Sequence, residues 1–309
     1  MALILSEAAK LSLDVMQVGV IETVVKESPV LQVLPFDDIV GNSLLYNREN
    51  VAPTAAFFAV GGTWSEGVTT FTQVTAGLKI LGGDADVDNY IRQTRQNVQD
   101  IEASVLALKA KAVAHTFEDT FIYGDDSVDT NSFDGLHISI PSAQRVAQGS
   151  GSTVAALSLA KLDQAIDLVK PGRPELLLCS RRTRRLLATY ARSLSGTVMY
   201  RPDEFGRGVM WYNDIPVVIS DFILDTETIA SGTYSAKTGS TGSSIFILSF
   251  GFGKLMGIQN GGIQIERIGS LETKDATRHR IKWYVNGVVL QSTLAVAVVD
   301  GISSGAVVA

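Results

Sequence analysis

The chain has 309 residues, of which 46% are hydrophobic, and its formal net charge at pH 7 is −6. This composition can fill one large core or two ordinary ones, and it excludes a disordered chain. The mild acidity excludes the strongly basic surface that binds nucleic acid or an acidic membrane tightly. A single cysteine, Cys179, excludes an internal disulfide framework, and its leucine neighbours predict a buried structural thiol.

The first stretch of the chain predicts an amphipathic helix. Residues 6–27 place apolar side chains at helical spacing after Ser6, a suitable N-cap, and Ser28-Pro29 ends the pattern. The helix serves either as an arm lying on another surface or as an ordinary packed helix. Charged residues interrupt its apolar start, so we expect no signal peptide and a chain that works in the cytosol. No apolar run reaches the length of a membrane span.

Residues 44–86 predict a long two-limbed extension. Residues 44–60 and 68–81 read as extended limbs, and between them lies a glycine-rich turn around Trp64. A lone hairpin is only marginally stable in water. We therefore expect something to cover it, and a neighbouring subunit is the natural candidate.

A single long helix is predicted next. Residues 86–115 contain no glycine or proline, and their apolar positions recur at intervals of three, four and seven. Asp86 or Asp88 can cap its start. About 30 residues form a rod of roughly 45 Å, which either spans a large domain or acts as a strut in an assembly.

The rest of the chain predicts an α/β region followed by strands. A flexible joint at 148–153 precedes alternating helices and strands, and residues 230–243 read as a mobile surface loop. The predicted elements are helices at 159–169 and from Ser180 to 194, and strands at 175–179, within 209–220, at 244–248, 262–268, 278–284 and 288–299. Residues 285–287 supply a turn between the last two. These late strands need a helix on their apolar face, and the long helix is the obvious partner.

The search for chemistry gives no catalytic residues, no metal site and no cofactor site. The three histidines are far apart, and Gly251-Phe252-Gly253-Lys254 lacks the other residues of a phosphate-binding loop. The acidic residues of 125–135 lack the spacing of a calcium loop and predict a solvated loop. Four arginines at 181, 182, 184 and 185 favour an interface with acidic groups over a plain solvated face, and nucleic acid is the weakest reading.

This order of parts resembles the major capsid protein of tailed bacteriophages, whose Hong Kong phage-type fold is shared with encapsulin shells. Short stretches in the matching order carry the resemblance: Phe133-Asp134-Gly135-Leu136, Leu159-x-x-Leu162-Asp163, Ile215-Pro216-Val217, Arg278-x-Arg280-x-x-Trp283-Tyr284 and Asp300-Gly301-Ile302. The resemblance implies an α+β fold with five parts. These are an N-terminal arm (1–43), an E-loop hairpin (44–86), a peripheral domain (87–153 and 259–309), its spine helix (87–118) and an inserted axial domain (154–258).

The resemblance also implies a structural function and no enzymatic activity. Hexamers and pentamers of the chain would form an icosahedral virion shell, assembled in the host cytoplasm, around double-stranded DNA. The other partners would be a portal and, in some members, scaffolding or decoration proteins, with no membrane and no cofactor. An acidic inner wall would contact DNA only weakly and without sequence preference. An encapsulin-like compartment and a soluble α/β enzyme or binding protein stay open as alternatives.

Contacts between subunits are predicted at the hairpin tip, the long helix and the arginine cluster. The candidates are Trp64, Glu66, Phe71, Arg92, Arg95, Arg181, Arg182, Arg184 and Arg185. Glu66 would meet Arg92 or Arg95 of a neighbour, and the cluster at 181–185 would meet acids of an adjacent axial domain. Some members crosslink an E-loop lysine to an asparagine; here only Lys79 and Asn286 suggest themselves, and we do not expect the bond.

Overall fold

The computed structural model describes residues 30–51, 53–95, 101–193, 199–202, 208–230 and 233–308. The helix predicted at 6–27 lies outside them. The helices are α1 (Val30–Val33), α2 (Asn89–Arg95), α3 (Ile101–Tyr123), α4 (Leu136–Ser139), α5 (Leu159–Leu168) and α6 (Arg181–Ser193). The strands are β1 (Phe36–Asp38), β2 (Ser43–Val51), β3 (Thr70–Gly77), β4 (Lys79–Asp88), β5 (Arg145–Ala147), β6 (Leu176–Cys179), β7 (Met199–Pro202), β8 (Gly208–Tyr212), β9 (Ile215–Ile219), β10 (Thr228–Ala230), β11 (Thr233–Ala236), β12 (Ile245–Leu248), β13 (Leu255–Ser270), β14 (Ala276–Leu290) and β15 (Val296–Asp300).

A four-stranded sheet contains the two longest strands, in the order β1-β13-β14-β4. Along β14 the side chains of Ile281 and Trp283 are buried while Arg280 is exposed, which confirms the predicted alternation. The turn predicted at 285–287 is wrong. Those residues continue β14, with Val285 paired to Gln259, because the apolar face of the strand extends to its end.

The long helix begins later than predicted. Strand β4 continues to Asp88, since Ala85 and Val87 fill the buried face of the sheet as well as they would a helix stripe. The carboxylate Oδ1 of Asp88 accepts hydrogen bonds from the backbone N–H groups of Tyr90 (2.8 Å) and Ile91 (3.3 Å), so the predicted cap at Asp88 is confirmed. Asp86 lies in the strand instead. Residues 96–100 of the predicted helix, between α2 and α3, lie outside the described part of the chain.

Helix α3 covers the four-stranded sheet, as predicted. Phe117, fully buried, places its ring centroid 4.8 Å from that of Trp283 on β14. Phe121 and Ile122 are also fully buried. The same core continues onto Phe246 of β12 in the second sheet, so one apolar cluster joins the two sheets through the helix.

The hairpin predicted in the first third is present. Strands β2 and β3 pair from Ser43 opposite Gly77 to Val51 opposite Thr70. The second limb does not continue as one strand to residue 81. It ends at Gly77, and the chain enters the four-stranded sheet at Lys79.

A seven-stranded sheet holds the second region in the order β5-β15-β12-β6-β9-β8-β7. Helices α5 and α6 pack on one face of it over a second apolar core. The Oγ of Ser180 accepts the backbone N–H of Thr183 at 3.2 Å, which confirms the predicted cap of α6. The strand pair predicted within 209–220 is present as β8 and β9, joined by a two-residue turn in which Asn213 and Asp214 take positive φ angles of 47° and 62°.

Two expectations about the second region are wrong. Strand β15, expected among the peripheral strands at the end of the chain, pairs with β12 inside the seven-stranded sheet, with Val299 opposite Ile245. All five of its residues are buried, as in a strand covered on both faces. The mobile loop expected at 230–243 contains strand β11, and the ring of Tyr234 on it stacks on His137 at 3.9 Å.

Candidate assembly surfaces

The loop at the tip of the β2–β3 hairpin exposes a group of large apolar side chains. Phe57 and Val60 are fully exposed, and Trp64 and Phe71 are 80% and 69% exposed. The rings of Phe58 and Trp64 contact each other, with centroids 4.5 Å apart and planes tilted by 31°. Such a group marks a contact surface more often than a solvated loop. Glu66, also predicted here, is exposed beside Trp64.

The base of the hairpin is fixed to the body of the protein. The Arg48 guanidinium donates to the carbonyl oxygens of Leu290 (2.5 Å) and Gln291 (3.2 Å). The Tyr46 hydroxyl donates to the same Leu290 oxygen at 3.1 Å, and Tyr46 packs against the small apolar cluster around Ile258. The anchoring by Tyr46 and Arg48 was not predicted from the sequence, which shows only that two residues at this spacing share one face of a strand.

Lys79 and Asn286 lie close together at this base, and each already has partners. The Lys79 ammonium contacts Asp126 at 2.8 Å and the carbonyl oxygen of Thr130 at 2.7 Å. The Asn286 amide donates to the carbonyl oxygen of Gly77 at 3.0 Å. In the register of the sheet Lys79 is opposite Val285, the residue before Asn286. Both side chains are therefore used within one subunit.

The arginine cluster at the start of α6 is divided between internal and external roles. Arg181 forms a two-pronged ion pair with Asp221, with Nη2 and Oδ2 at 2.7 Å. Arg182 reaches Asp225 at 3.3 Å and donates to backbone carbonyls, including that of Ile302 at 3.0 Å. Arg184 is half-buried and Arg185 is exposed. Arg185 is therefore the member best placed to meet another molecule. The side chains of Arg92 and Arg95 on α2 lie outside the described part.

A ladder of ion pairs covers the outer face of the four-stranded sheet. Arg280 binds Asp84 through two bonds of 2.7 and 3.0 Å, and Arg278 binds Asp86 through two of 2.6 and 2.8 Å. These hydrogen bonds hold the pKa of each aspartate below its ordinary value. The charges cancel within the ladder, so this face attracts neither acids nor bases strongly.

A buried polar network joins the end of α3 to the seven-stranded sheet. The Glu227 carboxylate, fully buried, accepts hydrogen bonds from Tyr123 (2.6 Å) and Ser244 (2.5 Å) and lies 3.3 Å from Nε2 of His137. Arg145 binds the equally buried Asp300 at 2.7 Å. Burial and the Glu227 charge raise the pKa of Tyr123 above its ordinary value. Because the Glu227 and Asp300 carboxylates are fully buried, their hydrogen bonds hold the end of α3 against the sheet.

Other site classes find no support among the described residues. Cys179 is fully buried, and burial raises the pKa of its thiol to about 12. Within the described ranges, no three His, Cys, Asp or Glu side chains lie together in a metal-binding arrangement. No helix among them has the length and apolar character needed to cross a membrane.

Comparison by sequence gives no match to a family model or to a curated protein. Comparison of structures gives matches over nearly the whole chain. The holo encapsulin complex of Synechococcus elongatus PCC 7942 matches with a TM-score of 0.68 and 16% identity, over 98% of this chain and 97% of that one. The capsid of a native GTA particle matches at 0.66 and 17%, over 94% and 96%. The capsid of cyanophage P-SCSP1u matches at 0.59 and 13%, over 94% and 93%.

The chain has the Hong Kong phage-type capsid fold. The expected α+β class and the resemblance stated from the sequence are both confirmed. The matches span nearly the full length of both chains, so the likeness covers the whole fold and not one part of it. At these low identities the likeness concerns the fold, and a fold alone does not establish the role of the chain.

Proposed function

We propose that the chain is a major capsid protein, a structural subunit that assembles as hexamers and pentamers into an icosahedral shell. The observation that carries the proposal is the hairpin, whose base is fixed by Arg48 and Tyr46 while its tip exposes the Phe58–Trp64 pair. A rigid base with an apolar end gains burial only on another molecule. A second copy of the chain is the simplest source of that surface.

In this proposal the parts of the chain have the roles that the resemblance implies. The hairpin is the E-loop, α3 is the main part of the spine helix, and the four-stranded sheet is the core of the peripheral domain. The seven-stranded sheet is the axial domain, which takes in β5 and β15 from outside the limits 154–258 set from the sequence. Trp64, Glu66, Phe71 and Arg185 are the contact residues best placed by exposure.

The shell encloses double-stranded DNA in the leading form of the proposal. A net charge of −6 suits a wall that does not hold packaged DNA tightly. A portal, with scaffolding or decoration proteins, would complete a virion assembled in the host cytoplasm. The second candidate is a protein compartment, favoured by the match to an encapsulin complex.

Electron microscopy and sedimentation of the purified full chain test the proposal. We expect closed particles of megadalton mass. Nuclease-protected DNA within particles isolated from the natural source supports a capsid, whereas a protein cargo supports a compartment. A chain that stays a compact monomer at every concentration and salt condition contradicts both.

A further inference from the structure

We infer that the free edge of β13 is a second contact surface, at which two copies of the chain pair their strands antiparallel across a twofold axis. The contact is separate from the hairpin tip. It rests on the proposed shell only insofar as assembly brings copies together.

The edge is unpaired along six residues. Strand β13 has β14 on one side for nearly its full length, whereas β1 pairs on the other side only with residues 257–259. Among the described residues, no strand pairs with the outer edge of residues 263–268. Unpaired backbone N–H and C=O groups on a sheet edge are a template for another strand.

At the same edge, apolar side chains that belong to the buried face of the sheet are only partly covered. Ile263 is opposite Trp283 and Ile265 is opposite Ile281, so these isoleucines share the face that α3 covers. Trp283 and Ile281 are 3% and 0% exposed, but Ile263 and Ile265 are 53% and 55% exposed. The covered part of the apolar layer therefore ends at β13, and a molecule that binds at this edge must supply both a strand and apolar side chains.

Glycine bulges set the limits of the segment. The register of β13 against β14 shifts between Asn260 and Ile263 and again between Arg267 and Gly269. Gly261, Gly262 and Gly269 have φ angles of 69°, 66° and 120°, which L side chains rarely adopt. Pairing with a second copy is thus confined to residues 263–268.

A second copy of this segment is the occupant that its own side chains fit. In an antiparallel pair centred on Ile265, Ile265 lies opposite its own counterpart and extends the apolar layer, and on either side of it Ile263 lies opposite Arg267 of the other copy. On the other face Gln264 lies opposite Glu266 of the second copy, so an amide donor meets a carboxylate twice, and each Glu266 also binds Lys282 of its own chain at 2.5 Å. Centring the pair on Glu266 would oppose two carboxylates, which is destabilising. The two α3 helices then lie on the same face, on either side of the seam.

Oxidative crosslinking of full-length cysteine variants tests this register. Residues directly opposite in an antiparallel pair have Cβ atoms about 4.5–5.5 Å apart, and diagonal ones about 7–8 Å. A disulfide needs about 3.5–4.5 Å, so only the opposed pair is within reach of a small strand adjustment. The native thiol, Cys179, is buried and does not compete. We expect I265C particles to give a covalent dimer on a non-reducing gel, and Q264C particles to give none.

The outcomes separate this inference from the proposed function. Intact I265C particles without a dimer, or a dimer from Q264C in its place, overturn the edge pairing and leave the shell standing. A dimer from I265C in protein that forms no particles supports the edge and contradicts the shell. Val128, 84% exposed in the acidic loop, provides V128C as a control for chance collisions. Should I265C fail to fold, the double variant I263C/R267C tests the same register, because position 263 of each copy then lies opposite position 267 of the other copy.

Discussion

His279 on β14 and Glu102 in the first turn of α3 lie 2.8 Å apart, measured from Nε2 to Oε1. The His279 side chain is 6% exposed and the Glu102 side chain 29% exposed, so this contact ties the beginning of α3 to a nearly buried histidine of the sheet. We predict that Glu102→Gln lowers the free energy of unfolding by about 1 kcal/mol, since the histidine loses its charged partner. Urea unfolding of the unassembled subunit measures it. Glu272→Gln, at an exposed position, is the control, and equal stability of the two variants would show that the contact contributes nothing.

A substitution in the aromatic packing between α3 and β14 should lower the free energy of unfolding by a larger amount. Phe117 is fully buried against Trp283, Phe133 and Phe36. Phe117→Ala leaves a cavity in the core that joins both sheets, and we expect a loss of about 3–5 kcal/mol. Thermal and urea unfolding check the loss. Phe252→Ala, at a 91% exposed position, should change stability by less than about 0.5 kcal/mol. A small effect at Phe117 would place the helix elsewhere.

Glycine at position 82 is required by the spacing of the strands. A Cβ added at Gly82 would lie 2.3 Å from the backbone oxygen of Ile281, so β4 would have to move away from β14. We predict that Gly82→Ala destabilises the subunit by about 1–3 kcal/mol. Gly77→Ala is the matched control, because nothing lies within 4 Å of its added Cβ. Similar melting temperatures for the two alanine variants would contradict the β4–β14 pairing.

The ion-pair ladder predicts a dependence of stability on pH. The hydrogen bonds from Arg278 lower the pKa of Asp86 in the folded chain below its ordinary value. The stabilisation is therefore fully present above the unfolded pKa and is lost as the pH falls through the lower folded pKa. We expect Asp86→Asn to be less stable than the wild type at pH 7, with the difference shrinking below about pH 4. Melting temperatures between pH 7 and pH 2.5 measure it. Asp38→Asn, at an exposed position on β1, is the control, and its melting temperature should change with pH as that of the wild type does. If the melting temperature of D86N also followed the wild type at every pH, the ladder would not be the cause.

The exposed hairpin tip predicts a defect in assembly without a defect in folding. Trp64→Ser removes the larger ring of the Phe58–Trp64 pair, a ring that is 80% exposed in the subunit. We expect the melting temperature of the subunit to be unchanged and the yield of particles to fall sharply in sedimentation runs. Val60→Ser, also at the tip but outside the Phe58–Trp64 pair, should reduce the yield of particles less than W64S does. Normal particles from W64S would remove the tip from the contact surface.

Local signals in the sequence predicted local structure well. The cap residues Asp88 and Ser180 each act through hydrogen bonds to nearby backbone, so their neighbours along the chain suffice to identify them. The amphipathic pattern likewise identified α3 and its sheet partner.

Features that depend on distant partners were missed. Val87 fits a helix stripe and a strand face equally well, and only pairing with Thr277 of β14 decides for the strand. The apolar residues of β15 would suit a buried strand in either sheet, so the local sequence does not show which sheet the strand joins. The anchoring of Arg48 at Leu290 and the burial of Glu227 against Tyr123 likewise depend on contacts that no short pattern encodes.

The location of β15 has a consequence for synthesis of the protein. This strand lies between β5 and β12, so the seven-stranded sheet stays divided until residues 296–300 have been made. A chain that ended after β14 would lack the strand between β5 and β12, so one edge of β12 would be left unpaired. The seven-stranded sheet therefore cannot form in full before residues 296–300 are available to pair with β12 and β5.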